Sequence, residues 1–180
     1  MTNRKTNKWT ENLEDAFDNA KSGRAGELAV IQHLKASGCA NIIDHEHDKE
    51  IQMEGIDISY DDPWGCPVSI QVKENYDIQE AVVPGAPTPR TFCVEIDNNP
   101  KKHICSVLAD KMIHINIPNQ SYVIYNTYFM VLEVLEHDSR AGGYTGDYLG
   151  SEFYYQGVRL VRVQDDKFPW FQRGILRTPE

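Results

Sequence analysis

Three residues close together in the chain could do chemistry as a set: Asp57, Gln71 and Lys73. They lie in the stretch "EGIDISYDDPWGCPVSIQVK", residues 54–73. A carboxylate and an amide oxygen suit a hard cation such as Mg²⁺, which takes oxygen ligands and keeps several waters. A lysine beside such an ion can orient or activate the attacking water, or offset charge building on a phosphate. It is also a point-charge phosphate binder. The plain alternative is the solvated face of a hairpin with scattered polar groups.

Strand periodicity decides whether these residues can meet. Side chains alternate faces along a strand. Ile56, Ile58 and Tyr60 share one face, as do Val68, Ile70 and Val72; Asp57 and Ser59 fall opposite, with Ser69, Gln71 and Lys73. Folding the turn about Trp64 pairs residue 60 with 68, 58 with 70 and 57 with 71. Asp57 then stands opposite Gln71, with side chains starting about 5 Å apart and Lys73 one diagonal step away. A slip of one residue would drive Asp57 onto the apolar face, so the pattern favours this register.

Asp57, a turn, then Gln71-x-Lys73 resembles the PD-(D/E)xK nuclease signature. That superfamily also often carries a glutamate on the helix before the hairpin, and "GRAGELAVIQHL" supplies Glu27. Ile31 and Leu34 fall within about 40° of Glu27 around a helix, so this carboxylate rides the apolar stripe; the alternative is a first-turn acid favoured by the helix dipole. The resemblance covers roughly residues 20–135. The chain departs from the family twice: Ile56 stands where a proline usually precedes the aspartate, and Gln71 replaces the middle acid. A Gln-x-Lys form is similar to that of the methylation-dependent restriction branch.

The resemblance implies an α/β (α+β) fold of restriction-endonuclease-like type, a central mixed sheet flanked by helices. It implies a metal-dependent nuclease, an endonuclease, hydrolysing DNA phosphodiesters with Mg²⁺ or Mn²⁺. Asp57, Gln71, the Val72 carbonyl and Glu27 would ligate the ion, and Lys73 would position water and stabilise the transition state. DNA is the implied partner, and the family admits a homodimer. The rival is a catalytically degenerate nuclease-fold module for DNA binding or assembly, favoured by Gln71 and the acidic charge.

The elements expected around the hairpin are a helix through residues 10–38 with a break near Ser22-Gly23 and a stop at Ser37-Gly38. A short strand is expected at Ile42-Ile43, strands over 56–60, 68–73 and 91–96, a helix over 100–110, and a hairpin of "KMIHINI" and "SYVIYN". A helix over "TYFMVLEVLEHD" and a strand over "GVRLVRV" follow, and "VVPGAPTPR" reads as loop. The sum is a single domain, residues 1–180, with a core over about 20–135, an extension over 136–180, and one central sheet.

Composition bounds the rest. The chain has 180 residues, 41% hydrophobic, with a net charge of −9, which fits a soluble protein with a real core and does not by itself point to nucleic acid. Residues 41–62 hold eight acids against Lys49, a net of −7; a solvated loop or the border of a metal site would explain it. Within it His45 and His47 form an H-x-H pair that could bind a transition metal, but spacing sets no third ligand. The cysteines, Cys39, Cys66, Cys93 and Cys105, show no C-x-x-C spacing and read as reduced, partly buried thiols in a cytoplasmic protein. No signal peptide or membrane span is expected. Tyr76, Lys101, Lys102 and His103 are weaker candidates for substrate contact, as are the aromatics of "SEFYYQG" and "FPWFQRG", which suit core or subunit contact better. Arg159, Arg162, Lys167, Arg173 and Arg177 make the last 25 residues mildly basic, five against three acids, a hint of a backbone-binding surface.

Overall fold

The structure is a computed structural model that describes residues 23–74, 91–96, 104–117, 120–139, 149–155, 158–164 and 171–177. Its first described element is α1, a helix over residues 23–36. Val30, Ile31 and Leu34 recur at helical spacing and are all buried. The helix stops where the Ser37-Gly38 pair predicts. Gly38 takes φ +81, its N–H bonds the Lys35 carbonyl at 3.2 Å, and the Cys39 N–H reaches back to Leu34 at 3.1 Å. This is the Schellman ending that glycine permits. Gly26 matters for a different reason. A Cβ there would lie 2.8 Å from Ile115 Cδ1, so the missing side chain lets α1 sit close on the sheet.

The chain continues through β1 (Ala40–Asp44), α2 (Lys49–Met53), β2 (Ile58–Asp61), β3 (Pro67–Lys73) and β4 (Thr91–Glu95). A 3₁₀ turn (Ile104–Ser106), β5 (Lys111–Asn116), β6 (Ser121–Asn126), α3 (Thr127–Ser139), β7 (Leu149–Tyr155), β8 (Val158–Gln164) and β9 (Phe171–Ile175) complete it. Six strands form a mixed sheet in the order β1-β2-β3-β5-β6-β9. Only β3 and β5 run parallel; the other neighbours are antiparallel. The fold is therefore mixed α+β, a six-stranded mixed sheet with helices packed on it.

Three expectations need correction. The sheet is not single: β4, β8 and β7 form a second, three-stranded antiparallel sheet. Local alternation marks a strand but not its partners, and the strand over 91–96 pairs with β8 rather than with its neighbours in sequence. The helix expected over 100–110 is only the 3₁₀ turn at 104–106 among the described residues. The acidic stretch for which a solvated loop is one explanation holds α2, with Asp48 as its N-cap accepting the Ile51 N–H at 3.2 Å. The helix expected before Gly23 and the proline-rich loop lie outside the described residues.

The sheet is buried on both faces. On one, Val30, Ile31 and Leu34 of α1 meet Ile58, Tyr60, Ile70, Ile113 and Ile115. On the other, Met112, Val123 and Tyr125 meet Val94 and Ile96, Val161 and Val163 of the second sheet, and Met130 and Val134 of α3. Residues 112–115 of β5 are accordingly buried in succession, as expected of a strand covered on both sides. Each buried isoleucine or valine contributes roughly 1.5–3 kcal/mol. Because β3 and β5 are parallel with Gln71 beside Met112 and Lys73 beside His114, Gln71 and Lys73 stand on the face carrying the second core.

Candidate active site

The hairpin turn is held by one side chain. Asp62 Oδ1 accepts the N–H groups of Trp64 and Cys66, each at 2.9 Å, and Gly65 takes φ +82. That turn sets the register expected from alternation: Tyr60 with Val68, Ser59 with Ser69 and Ile58 with Ile70.

The ladder stops there, and the expected Asp57–Gln71 pair is not formed. The chain leaves α2 through Gly55, at φ +73, and joins the strand only at Ile58. Asp57 donates its N–H to the Ile70 carbonyl at 3.0 Å, while its Oδ2 accepts the Val72 N–H at 2.7 Å. The carboxylate thus stands in for a strand carbonyl at the open end of the hairpin. Burial raises the Asp57 pKa; the Val72 N–H and the Lys73 charge pull it back down.

Gln71 packs beside Gly55, where an added Cβ would lie 3.4 Å from Nε2 and 3.2 Å from Val107. Its Oε1 is buried and has no hydrogen-bond partner among the described residues. Lys73 Nζ lies 3.6 Å from Glu95 Oε1 on β4. Val72 enters the site through the N–H that holds Asp57. Next to Lys73 across the parallel pair, His114 is fully buried with Nε2 2.8 Å from the Tyr125 hydroxyl. Burial, with the Lys73 charge adding to it, pushes its pKa down to about 3, so this imidazole is neutral.

Glu27 reaches the region from α1. Arg24 Nη1 donates to its Oε2 at 2.9 Å. The same guanidinium forks onto Asp44, at 3.0 and 2.6 Å, and reaches Glu46 Oε2 at 3.0 Å. Burial raises the Glu27 pKa, the Arg24 hydrogen bond opposes it, and the negative charge of Asp57 raises it again. Asp44 moves the other way, lowered chiefly by the Arg24 hydrogen bond. The charge of Asp57 thus reaches Glu27, and that of Lys73 reaches Asp57.

The histidine pair separates. His45 is buried with Nε2 2.9 Å from Ser59 Oγ, and His47 is 93% exposed. Among the described residues no three His, Cys, Asp or Glu side chains converge as a metal-holding group, at the histidine pair or around Asp57 and Glu27. Cys66 and Cys105 are exposed, correcting the expectation of partly buried thiols, whereas Cys39 is half-buried. Arg173 and Arg177 are exposed. Tyr76, Lys101, Lys102, His103 and Lys167 lie outside the described residues, as do the side chains of Arg159 and Arg162 and of the clustered aromatics 153–155 and 168–171.

Sequence reasoning missed Arg24, Asp44, Gly55 and Glu95. Arg24 could have been found, since it stands three residues before Glu27 on a helix, where opposite charges meet. Glu95 left no local signal; it arrives from the other sheet.

No protein-family model matches this chain, and no curated protein matches it. A bacterial homing endonuclease of known structure is similar over 63% of this chain and 72% of its own, with 12% identity and a TM-score of 0.43. At that level the likeness decides neither the fold family nor the chemistry of this chain.

Proposed function

We propose that the chain is a Mg²⁺- or Mn²⁺-dependent nuclease that hydrolyses DNA phosphodiester bonds. The observation that carries this is Gln71 Oε1, a buried oxygen with no partner among the described residues. An unsatisfied buried acceptor costs about 1–3 kcal/mol, and such atoms persist in native folds when something completes them. The ligand set we propose with it is all oxygen: the Gln71 amide, the Asp57 carboxylate, the Val72 carbonyl and, from α1, Glu27. Oxygen ligands with low protein charge fit a hard divalent ion that keeps waters. When bound, such an ion polarises a phosphoryl oxygen and lowers the pKa of its water.

The chain's own residues supply the rest. Asp57 is held by the Val72 N–H, so its carboxylate is fixed before any ligand arrives. Burial raises its pKa, an unfavourable state for an anion that a cation would relieve. The Lys73 ammonium offers a point charge to a scissile phosphate and to the water beside it. Mg²⁺ and Mn²⁺ titration by calorimetry, run beside plasmid nicking, tests this. Binding and nicking should both vanish with Asp57→Ala. Wild-type protein that binds no divalent ion and never cuts would end the proposal.

A non-catalytic DNA-binding module is the second reading. It is favoured by the pairing of Glu27 with Arg24, which engages one of the two carboxylates, and by the neutrality of Gln71. It expects salt-sensitive DNA affinity with no cleavage.

A further inference from the structure

Lys73 is the last residue of β3, and its long side chain has several rotatable bonds to fix before the ammonium can be aimed. The groups nearest it on that face do little of this. Gln71 is neutral, His114 is buried and neutral, and the Asp57 carboxylate is held by the Val72 N–H. Among the described residues the carboxylate within ion-pair distance of Lys73 Nζ is that of Glu95, at 3.6 Å. Glu95 is well anchored: it stands between Val94 and Ile96, 1% and 0% exposed, and pairs across the second sheet with Leu160. Both charged side chains are partly buried, at 29% and 36% exposed, where solvent screens a pair less than at an open surface.

We infer that Glu95 is the positioning residue for Lys73, holding its ammonium at the reacting end of the hairpin from a different sheet. The inference rests on the nuclease reading. It also gives the second sheet a part in the site: β4 delivers a charge that Gln71 does not supply. Glu95 acts through Lys73 and is not a metal ligand.

Steady-state nicking, with calorimetry of Mn²⁺ binding, tests the role on Glu95→Gln and Glu95→Asp. Misaiming a reacting group by about an ångström costs ten- to a hundredfold. Glu95→Gln should therefore lower kcat about tenfold or more, with KM for plasmid and Mn²⁺ affinity unchanged, and Glu95→Asp should recover part of the loss. An unchanged or increased kcat in Glu95→Gln overturns the inference, and a fall in Mn²⁺ affinity overturns it by making Glu95 a ligand. A wild-type protein inactive with every divalent ion overturns the nuclease reading itself, and this role with it.

Discussion

Asp57 serves both structure and the proposed chemistry, and its substitutions should separate the two. Removing the carboxylate leaves the partly buried Val72 N–H without its acceptor, so Asp57→Ala should cost about 1–3 kcal/mol in chemical denaturation, more than a surface change. Asp57→Asn keeps an acceptor and removes the charge. Because the folded-state pKa of Asp57 is raised, its contribution to stability is full below the unfolded carboxylate pKa and is lost as pH rises through the folded value. Metal-free Asp57→Asn should thus be more stable than wild type at neutral pH, with the advantage shrinking as pH falls into the carboxylate range. An advantage that persists at acid pH would mean the charge is not its source. Gln71 gives a complementary case. Its orphaned Oε1 predicts that Gln71→Met, similar in volume and without a polar atom, is neutral or stabilising by about 1 kcal/mol without metal. The same variant should bind Mn²⁺ more weakly, and Gln71→Glu more tightly; unchanged affinity in both would remove Gln71 from the ligand set.

At the scale of elements, the site depends on how α1 and α2 meet the hairpin. Arg24 ties α1 to the end of β1 through Asp44 and Glu46 while holding Glu27. A network with a forked arginine is stronger than an isolated surface pair. Arg24→Met should cost about 1 kcal/mol, with the loss smaller at high salt because charge screening weakens the wild-type network; urea melts at low and high salt check it. Gly55 works on the other side. Its φ of +73 and its contact with Val107 mean that Gly55→Ala strains the backbone, by about 1–2 kcal/mol, where Asp57 is delivered and Gln71 is packed. Its nicking loss should exceed its stability loss, whereas Gly38→Ala, at φ +81 but with open space around it, should cost stability alone.

For the whole molecule, the sheet is covered by α1 on one face and by the second sheet and α3 on the other. The region 136–180 contributes to this body, since β9 pairs with β6 and β8 lies between β4 and β7. None of the described helices is long and apolar enough to cross a membrane. A net charge of −9 opposes approach to DNA, and a bound divalent ion would reduce that locally. An ion that binds only the folded state stabilises it by about 2.7 kcal/mol at a hundredfold excess over Kd. Mn²⁺ should therefore raise the melting temperature of wild type and not of Asp57→Ala; an equal rise in both would place the binding elsewhere.

Local physics already carried much of this in the sequence. The α1 stripe and its Gly38 stop, the Trp64 turn with its 58–70 register, the hairpin of β5 and β6, and α3 all follow from side-chain period and turn chemistry, which act over a few residues. The types of the four proposed site residues were legible for the same reason. What the sequence could not determine lay in contacts between distant segments. The end of the β2 ladder depends on how Gly55 turns the chain, so Asp57 bonds Val72 instead of facing Gln71. The partner of Lys73 depends on which strands the region 91–96 joins, and that pairing is with residues 160–164, far along the chain. Alternation tells a strand which face is apolar; it carries no information about which strand lies beside it, and only the tertiary structure decided that.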